Sequence, residues 1–382
     1  MPRWRCLKAA VALFVAGLGL RCEPSREAVA PARTVDATAP QPWLEAPLVD
    51  RQRELLRRFA MGYRPQCRPE LPTGRRRLRR ALVTAFGPYA DVRDNASSAI
   101  VGMLVPGVAQ ALPLKPGPGV IEAPDARLAV ASETVHLQHF GEARLCAMVL
   151  PSYWDLPGDL VLREIEAFQP DVVVMTGVSK RAREIILELG TVNESDELDD
   201  DSPAGFRLSP GRSLPVLDGP GQMQGERLPL VLSWSRVRRA MRRAWRAERD
   251  ALEGPLRFDA RVNDVRFGAY PRRLNRYLCN ALAHAVNAGL AGQLEESHFA
   301  RTLAALESPR ETLGWPLPRV TPRPSLPRVF VHFPSELAGR HREAAEAMLV
   351  ALLAAQLAAL HDPVDAPVLS EGIAPDSVSA GP

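Results

Sequence analysis

The chain has 382 residues, a formal net charge of +4, and 46% hydrophobic against 24% charged residues. This length could hold two average domains, but both ends differ in composition from the middle, which leaves one core of substantial size. Four positive residues lie within the first 21, at Arg3, Arg5, Lys8 and Arg21. Because the remainder is close to neutral, the charge does not favour a nucleic-acid partner.

The N-terminal segment has the layout of a secretory signal peptide. Positive residues precede an apolar run at 9–20, which ends in small residues. The run is too short to span a membrane comfortably, so we predict that residues 1–21 are a signal peptide and that the protein is exported to the periplasm, the cell surface or the medium. The alternative is an N-terminal helix of the core.

Residues 22–75 are predicted to be a flexible spacer that includes one short amphipathic helix at 49–60. Residues 23–43 of this spacer are rich in Pro, Ala and small polar residues and lack apolar periodicity. Cys22 follows a sequence similar to a bacterial lipoprotein box, which makes lipid anchoring at Cys22 an alternative form of export. Arg21 departs from the small residue that such a box requires.

The body of the chain, at 76–362, alternates apolar bursts with helical patterns. Strands are predicted at 81–86, 145–150, 171–177, 263–270 and 328–332, and helices at 95–104, 157–168, 235–252 and 342–360. This alternation predicts an α/β fold: a three-layer α/β/α sandwich around a mostly parallel open sheet, of the phosphorylase/hydrolase-like type. Residues 292–326 are interpreted as an insertion, and 363–382 as a disordered tail.

Two arginine-rich runs, at 75–80 and along the helix at 235–252, are interpreted as solvated surfaces. In the helix, Val237, Met241 and Trp245 are spaced to form one apolar stripe, which leaves the arginines facing solvent. Nucleic-acid binding through these runs is the weakest hypothesis, and no nucleic-acid partner is predicted.

Cysteine usage points to a free thiol. Of the five cysteines, Cys6 and Cys22 belong to the leader region, which leaves Cys67, Cys146 and Cys279. An odd number in an exported chain predicts at least one unpaired thiol. Cys67 and Cys146 could form a disulfide.

Cys279 stands just before a helical run at 281–288, so it is expected near a helix N-terminus. There the helix dipole and free N–H groups favour a thiolate and stabilise an oxyanion. The alternative is a buried small hydrophobe. His332 ends an apolar strand at the carboxyl edge of the sheet, and Glu188 is a carboxylate in an apolar stretch that requires a partner. Together they supply a nucleophile, a base and an orienting group.

No pair of histidines has the spacing of a metal-binding helix, so we predict no zinc site and no cofactor.

Four segments resemble pyroglutamyl peptidase I, the pyrrolidone carboxyl peptidase family, in the same order along roughly residues 81–360. The sequence Thr-Ala-Phe-Gly-Pro-Tyr-Ala at 84–90, with Asn95 after it, is similar to the opening motif of the family. Glu188 falls eleven residues after Gly177, as in the family. The contexts Tyr-Leu-Cys-Asn at 277–280 and Val-His-Phe-Pro at 331–334 are similar to those of the catalytic cysteine and histidine.

The resemblance implies a cysteine peptidase that cleaves the amide bond after an N-terminal 5-oxoproline, with Cys279, His332 and Glu188 as its triad. Its substrates would be peptides with a blocked N-terminus. The resemblance places Phe86 and Tyr89 against the pyrrolidone ring, in an apolar, neutral pocket completed by Tyr277, Leu278 and Val178.

The chain departs from the family in its pocket loop and its ends. The glycine-rich loop after the central strand is replaced by Gly-Val-Ser-Lys-Arg at 177–181, which is bulkier and charged. The family's arginine after the glutamate is Leu189, and a loop glycine before the cysteine is Asn275. Family members usually lack a leader and a spacer. These departures motivate a second hypothesis, an exported binding protein that keeps the fold without catalysis. The oligomeric state is left open.

Overall fold

The computed structural model describes residues 46–69, 78–88, 94–108, 127–179, 185–195, 213–251, 266–268, 270–271, 276–299, 315–335, 337 and 340–360. The predicted leader at 1–21, Cys22, Tyr89, the charged part of the pocket loop at 180–181 and the tail at 363–382 lie outside these residues. Within the described residues, no helix combines the length and the apolar character that crossing a membrane requires.

A seven-stranded sheet forms the centre of the structure. In spatial order its strands are β2 (Ala129–Leu137), β3 (Gly141–Leu150), β1 (Arg79–Phe86), β4 (Val172–Ser179), β12 (Arg328–Pro334), β5 (Ile186–Glu188) and β9 (Arg266–Gly268). The four central strands β3, β1, β4 and β12 are parallel, whereas β2 and β5 run antiparallel to their inner neighbours. The sheet is therefore mostly parallel, as predicted.

The central strands contain long buried, largely apolar runs because both faces of the sheet are covered. In β1 every residue from Arg80 to Phe86 is buried, and in β4 every residue from Val172 to Gly177 is. The continuous apolar runs at 81–86 and 171–177 therefore correctly identified strands buried on both sides. Of the strand predicted at 263–270, the described residues 266–268 form β9.

In the part of the chain that the structure describes, the two outer layers contain six α-helices: α1 (Ala46–Gly62), α2 (Ala96–Leu104), α3 (Leu156–Phe168), α4 (Trp234–Ala251), α5 (Leu278–Ala291) and α6 (Arg340–Ala358). Helices α2, α4 and α6 pack together in one layer, and α1, α3 and α5 in the other. The α/β/α sandwich is thus confirmed. Asn95 caps α2 as its N-cap, because its side chain accepts a hydrogen bond from the Ser97 N–H at 3.0 Å.

The remaining strands form two small ladders beside the sheet. One consists of β6 (Gly190–Val192) and β8 (Arg227–Pro229), and the other of β7 (Leu217–Asp218), β10 (His298–Phe299) and β11 (Trp315–Pro316). Part of the segment interpreted as an insertion, 292–326, thus contributes to a ladder. Phe299 from this segment is 1% exposed and belongs to the hydrophobic core.

A disulfide and a buried carboxylate anchor the segment after α1. Cys67 is bonded to Cys146 on β3, across 79 residues and with 5.8 Å between the Cα atoms. Fully buried Glu164 accepts hydrogen bonds from the Tyr63 hydroxyl at 2.5 Å and from the N–H groups of Gln66 and Cys67 at 2.8 and 3.1 Å. Burial raises the pKa of Glu164, and these three donors oppose that effect.

Candidate active site

Glu188, His332 and Cys279 come together at the carboxyl edge of the parallel strands. Glu188 is the last residue of β5, His332 lies near the end of β12, and Cys279 is the second residue of α5. The three residues are separated by 53 to 144 positions in the chain, so only the fold brings them together.

The pairing of β12 with β5 sets the contact between His332 and Glu188. In this antiparallel pair Glu188 lies opposite Phe330, two residues from His332, so the two side chains are diagonal neighbours on one face. His332 Nδ1 lies 3.0 Å from Glu188 Oε1, and each residue is 7% exposed. The carboxylate fixes the ring orientation and leaves Nε2 available on its other side.

Cys279 lies at the start of α5, where the helix has free N–H groups. Tyr277 is the N-cap residue and makes no side-chain capping bond, and the first helical bond runs from Ala281 N–H to Tyr277 O at 2.9 Å. The N–H groups of the first turn therefore have no acceptor within the helix. Among the described residues, Cys279 is the free cysteine, and it is partly exposed.

Gly177 provides the space for the Cys279 sulfur. It lies in register with His332 in the parallel pair of β4 and β12. A Cβ atom at position 177 would lie 2.7 Å from Cys279 Sγ and 3.1 Å from Phe330 Cζ. The Phe330 ring also packs against the His332 ring, with 4.7 Å between centroids. The absent side chain at 177 thus allows the sulfur to reach the edge of the sheet.

The surroundings of His332 favour its charged form. Burial alone lowers the pKa of His332, but charge and hydrogen-bond interactions with Cys279 and Glu188 outweigh it and raise the pKa to about 10. Burial, together with the charge of Cys279, also raises the pKa of the Tyr277 hydroxyl. An imidazolium between a thiolate and a carboxylate is the arrangement that an activated cysteine nucleophile requires.

A small cavity of about 10 Å³ lies beside the triad. A cavity of this volume has room for about one water molecule. Its lining residues are Glu188, Gly190, Thr191, Pro271, Cys279, Asn280, Ala283, Phe330 and His332.

Four of the residues predicted to bind substrate are described by the structure, and none of the four is among the lining residues of this cavity. Phe86 and Leu278 are buried in the core at 4% and 5% exposure, and Val178 and Tyr277 are half-buried. The Tyr277 ring packs against Trp154, with 6.5 Å between centroids. Their role in substrate binding stays a prediction, as does that of Tyr89, which lies outside the described residues.

Sequence reasoning missed two residues of the site, Thr191 and Asn280. Thr191 lies within the apolar stretch that drew attention to Glu188, and Asn280 directly follows the cysteine. Both are almost fully buried and hydrogen-bonded. A buried polar side chain inside an apolar run is the signal that could have identified Thr191.

One group of possible metal-ligating side chains occurs within the described residues, formed by Cys67, Cys146 and Glu164. Its two sulfurs are joined to each other in the disulfide, and its carboxylate already accepts three hydrogen bonds. The group is therefore accounted for by its structural role.

We expect Gly177→Ala to lower the reactivity of Cys279 toward iodoacetamide and to reduce kcat by about 100-fold. The added methyl would overlap the sulfur and displace it from His332, and a misplacement of ~1 Å can cost about 100-fold in rate. Gly62→Ala is a matched control, because nothing lies within 4 Å of a Cβ at position 62. A Gly177→Ala protein alkylated as fast as the Gly62→Ala protein would contradict this role.

We expect the free energy of unfolding to depend on the charge of His332. Its pKa rises from an ordinary 6.5 to about 10 on folding, so the charged ring stabilises the folded state. This contribution is complete below pH 6.5 and is lost as the pH rises toward 10. Urea unfolding across this range should show a larger decline for the wild type than for His332→Gln. Parallel declines would contradict the assigned charge.

No family model matches this chain, and no curated protein matches it significantly. The structure is similar to pyroglutamyl peptidase I of Bacillus amyloliquefaciens at 14% identity and a TM-score of 0.39, covering 73% of this chain and 97% of that one. It is also similar to pyrrolidone carboxyl peptidase of Thermus thermophilus at 18% identity and a TM-score of 0.37, covering 72% of this chain and 99% of that one. Its similarity to pyrrolidone carboxyl peptidase of Thermococcus litoralis has 14% identity and a TM-score of 0.41, covering 74% of this chain and 96% of that one. A likeness this distant assigns no activity.

Proposed function

We propose that this protein is a cysteine peptidase that removes N-terminal 5-oxoproline from blocked peptides. The observation that carries the proposal is the arrangement of Glu188, His332 and Cys279 at the start of α5. Glu188 Oε1 lies 3.0 Å from one ring nitrogen of His332, and interaction with Cys279 raises the pKa of the same ring. Nucleophile, base and orienting group thus line one small cavity.

In the first half of the reaction, the Cys279 thiolate attacks the carbonyl carbon of the pyroglutamyl residue. A carbon–sulfur bond forms, and the negative charge moves to the carbonyl oxygen, where free N–H groups of the first turn of α5 stabilise it. The protonated His332 then gives its Nε2 proton to the leaving amine, and the carbon–nitrogen bond breaks. The products are a thioester on Cys279 and the shortened peptide.

In the second half, His332 must change from acid to base, and the thioester itself causes this change. The charge and the hydrogen bond of Cys279 are two of the interactions that raise the pKa of His332. Both disappear when the thiolate becomes a neutral thioester, so the pKa of the ring falls, although Glu188 still raises it. Neutral His332 then takes a proton from water, the hydroxide attacks the thioester, and the thiolate leaves with release of 5-oxoproline.

The choice of substrate rests on the motif at residues 84–90 and on the apolar surroundings of the thiol. Phe86 and Val178 lie at the carboxyl ends of β1 and β4, at the edge of the sheet where Cys279 lies. Tyr277 and Leu278 directly precede Cys279 in the chain. A 5-oxoproline residue carries no free amine, so a neutral, apolar surface suits it better than an ordinary N-terminus.

The test is hydrolysis of a fluorogenic pyroglutamyl amide by the wild-type protein without its leader. The prolyl amide of the same fluorophore is the matched control, since it has the same ring but a charged amine in place of the lactam. We expect the pyroglutamyl amide to be cleaved and the prolyl amide to remain intact. Equal cleavage of both would contradict the proposed specificity, and cleavage of neither would contradict the proposed activity.

We propose export as the setting of this activity. Disulfides persist in oxidising compartments, and the Cys67–Cys146 bond is consistent with such a compartment. Fractionation of cells expressing the full chain, with N-terminal sequencing of the product, tests this. Cleavage near residue 21 is expected, and partition into a detergent phase would indicate lipidation at Cys22. Uncleaved chain confined to the cytosol would contradict export.

A further inference from the structure

Helix α5 carries a stripe of three buried polar side chains, which are Asn280, His284 and Asn287. Their spacing of four and then three residues places them on one face of the helix. Asn280 is 3% exposed, and the other two are fully buried. A helix face packed inside a domain is normally apolar, so three buried polar residues on the same face require an explanation.

The side chain of Asn280 binds the backbone of β6 through both of its polar groups. Its Oδ1 accepts a hydrogen bond from Val192 N–H at 3.0 Å, and its Nδ2 donates to Val192 O at 2.8 Å and to Glu194 O at 2.9 Å. Asn280 directly follows Cys279, and β6 begins two residues after Glu188. The bonds of Asn280 therefore connect the segment that carries the nucleophile to the segment that carries the orienting carboxylate.

His284 and Asn287 extend this connection along the helix. His284 Nδ1 lies 3.1 Å from Thr191 Oγ1, and Asn287 Nδ2 donates to the same oxygen at 3.3 Å. Burial lowers the pKa of His284 to about 3, so its ring is neutral and acts here as a hydrogen-bonding group. Asn287 Nδ2 also lies 3.2 Å from the carbonyl oxygens of Leu228 and Pro229 on β8.

The last residue of the stripe also contacts the strand that carries His332. Asn287 Oδ1 accepts a hydrogen bond from Arg328 Nε at 2.5 Å. Arg328 is the first residue of β12, is 3% exposed, and also donates to the carbonyl oxygens of Pro324 and Leu326. The polar stripe thus links α5, which carries Cys279, to the segments that carry Glu188 and His332.

We infer that the polar stripe of α5, above all Asn280, is a positioning device that fixes Cys279 relative to Glu188 and His332. This inference rests on the proposed triad but not on the identity of the substrate. Apolar contacts tolerate sliding of a helix along its neighbour, whereas hydrogen bonds are directional and specify one register. A thiol that must meet one ring nitrogen gains from such a fixed register.

The test measures the rate of Cys279 alkylation by iodoacetamide between pH 5 and pH 9, which needs no substrate, together with kcat and KM. We expect Asn280→Ala to remove the reactivity at acidic pH that the His332 partner confers, and to lower kcat by about 100-fold with little change in KM. Asn280→Asp keeps the size of the side chain but places a carboxylate against two carbonyl oxygens. We therefore expect Asn280→Asp to show no faster alkylation and no higher kcat than Asn280→Ala.

Tyr63→Phe is the matched control, because it removes one buried hydrogen bond, that to Glu164, in a different part of the fold. It should lose stability but keep the wild-type alkylation profile. Thermal melts establish that each variant is folded. If Asn280→Ala does not fold, Asn287→Ala tests the inference in its place. We expect it to lose less Cys279 reactivity and less kcat, because Asn287 lies about two helical turns from the thiol.

The outcomes separate the two proposals. A wild type that shows reactivity at acidic pH, loses it in Asn280→Ala and cleaves no pyroglutamyl amide would support the positioning device and contradict the substrate. A folded Asn280→Ala protein with the wild-type alkylation profile and kcat would overturn the positioning device, whatever the substrate.

Discussion

Cys279→Ala is expected to abolish hydrolysis of the pyroglutamyl amide, with a fall in kcat of about 10⁴-fold or more. The thiolate forms the bond to the substrate carbonyl, and no other described residue at the site offers a nucleophilic sulfur. Loss of a nucleophile removes the covalent route completely, and comparable knockouts cost up to about 10⁶-fold. The measurement is the steady-state rate of fluorophore release by purified wild type and variant.

Thermal melts separate chemistry from folding in this variant. Cys279 is partly exposed and takes no part in the Cys67–Cys146 disulfide, so we expect Cys279→Ala to fold and to melt in one transition. Its melting temperature near pH 7 should be lower than that of the wild type, because the substitution removes two of the interactions that raise the pKa of His332. Cys279→Ser tests sulfur chemistry in particular, because a hydroxyl has nearly the same size but does not ionise under these conditions. Retained hydrolysis in either variant would exclude Cys279 as the nucleophile.

His332→Ala is expected to lower kcat/KM by about 10⁴-fold and to change the pH dependence of Cys279 alkylation. Without the ring, no imidazolium stabilises the thiolate and no acid protonates the leaving amine. Alkylation of the wild type should remain fast at pH 6, where His332 is charged, whereas the variant should react much more slowly at that pH. The measurement is the second-order rate of iodoacetamide labelling, followed by mass spectrometry.

His136→Ala is the control for the loss of a histidine elsewhere. His136 is an exposed residue of the edge strand β2 and has no contact with the triad. Its variant should keep both the rate and the alkylation profile of the wild type. Identical alkylation profiles for His332→Ala and His136→Ala would show that His332 does not activate the thiol.

The central strands and most helices could be predicted from local patterns. A strand buried on both faces has a continuous apolar run, and a helix packed on one face has apolar residues at helical spacing. The runs that became β1 and β4 are continuously apolar, and α3 has helical spacing with its apolar residues buried. The stretch around Glu188 was harder to interpret. It forms two short strands, β5 and β6, which pair with different partners, and no local pattern reveals that division.

The proposed triad was identified by the contexts of its three residues, whereas the contacts that support it depend on the fold. Gly177 is an ordinary strand-terminal glycine in the sequence, and only the approach of Cys279 Sγ explains it. The bonds of Asn280 reach residues almost 90 positions earlier in the chain. Cysteine spacing left the disulfide open, because three cysteines allow three pairings. The fold selects Cys67 and Cys146.

The most direct test of the central claim is the mass of the intact protein, quenched in acid within the first turnover of a pyroglutamyl ester or amide. We expect a transient increase by one pyroglutamyl group, located by peptide mapping on the peptide that contains Cys279. This increase should be absent from Cys279→Ala. A wild type that binds the compound but never acquires the group would contradict covalent catalysis and would instead support a binding protein with this fold.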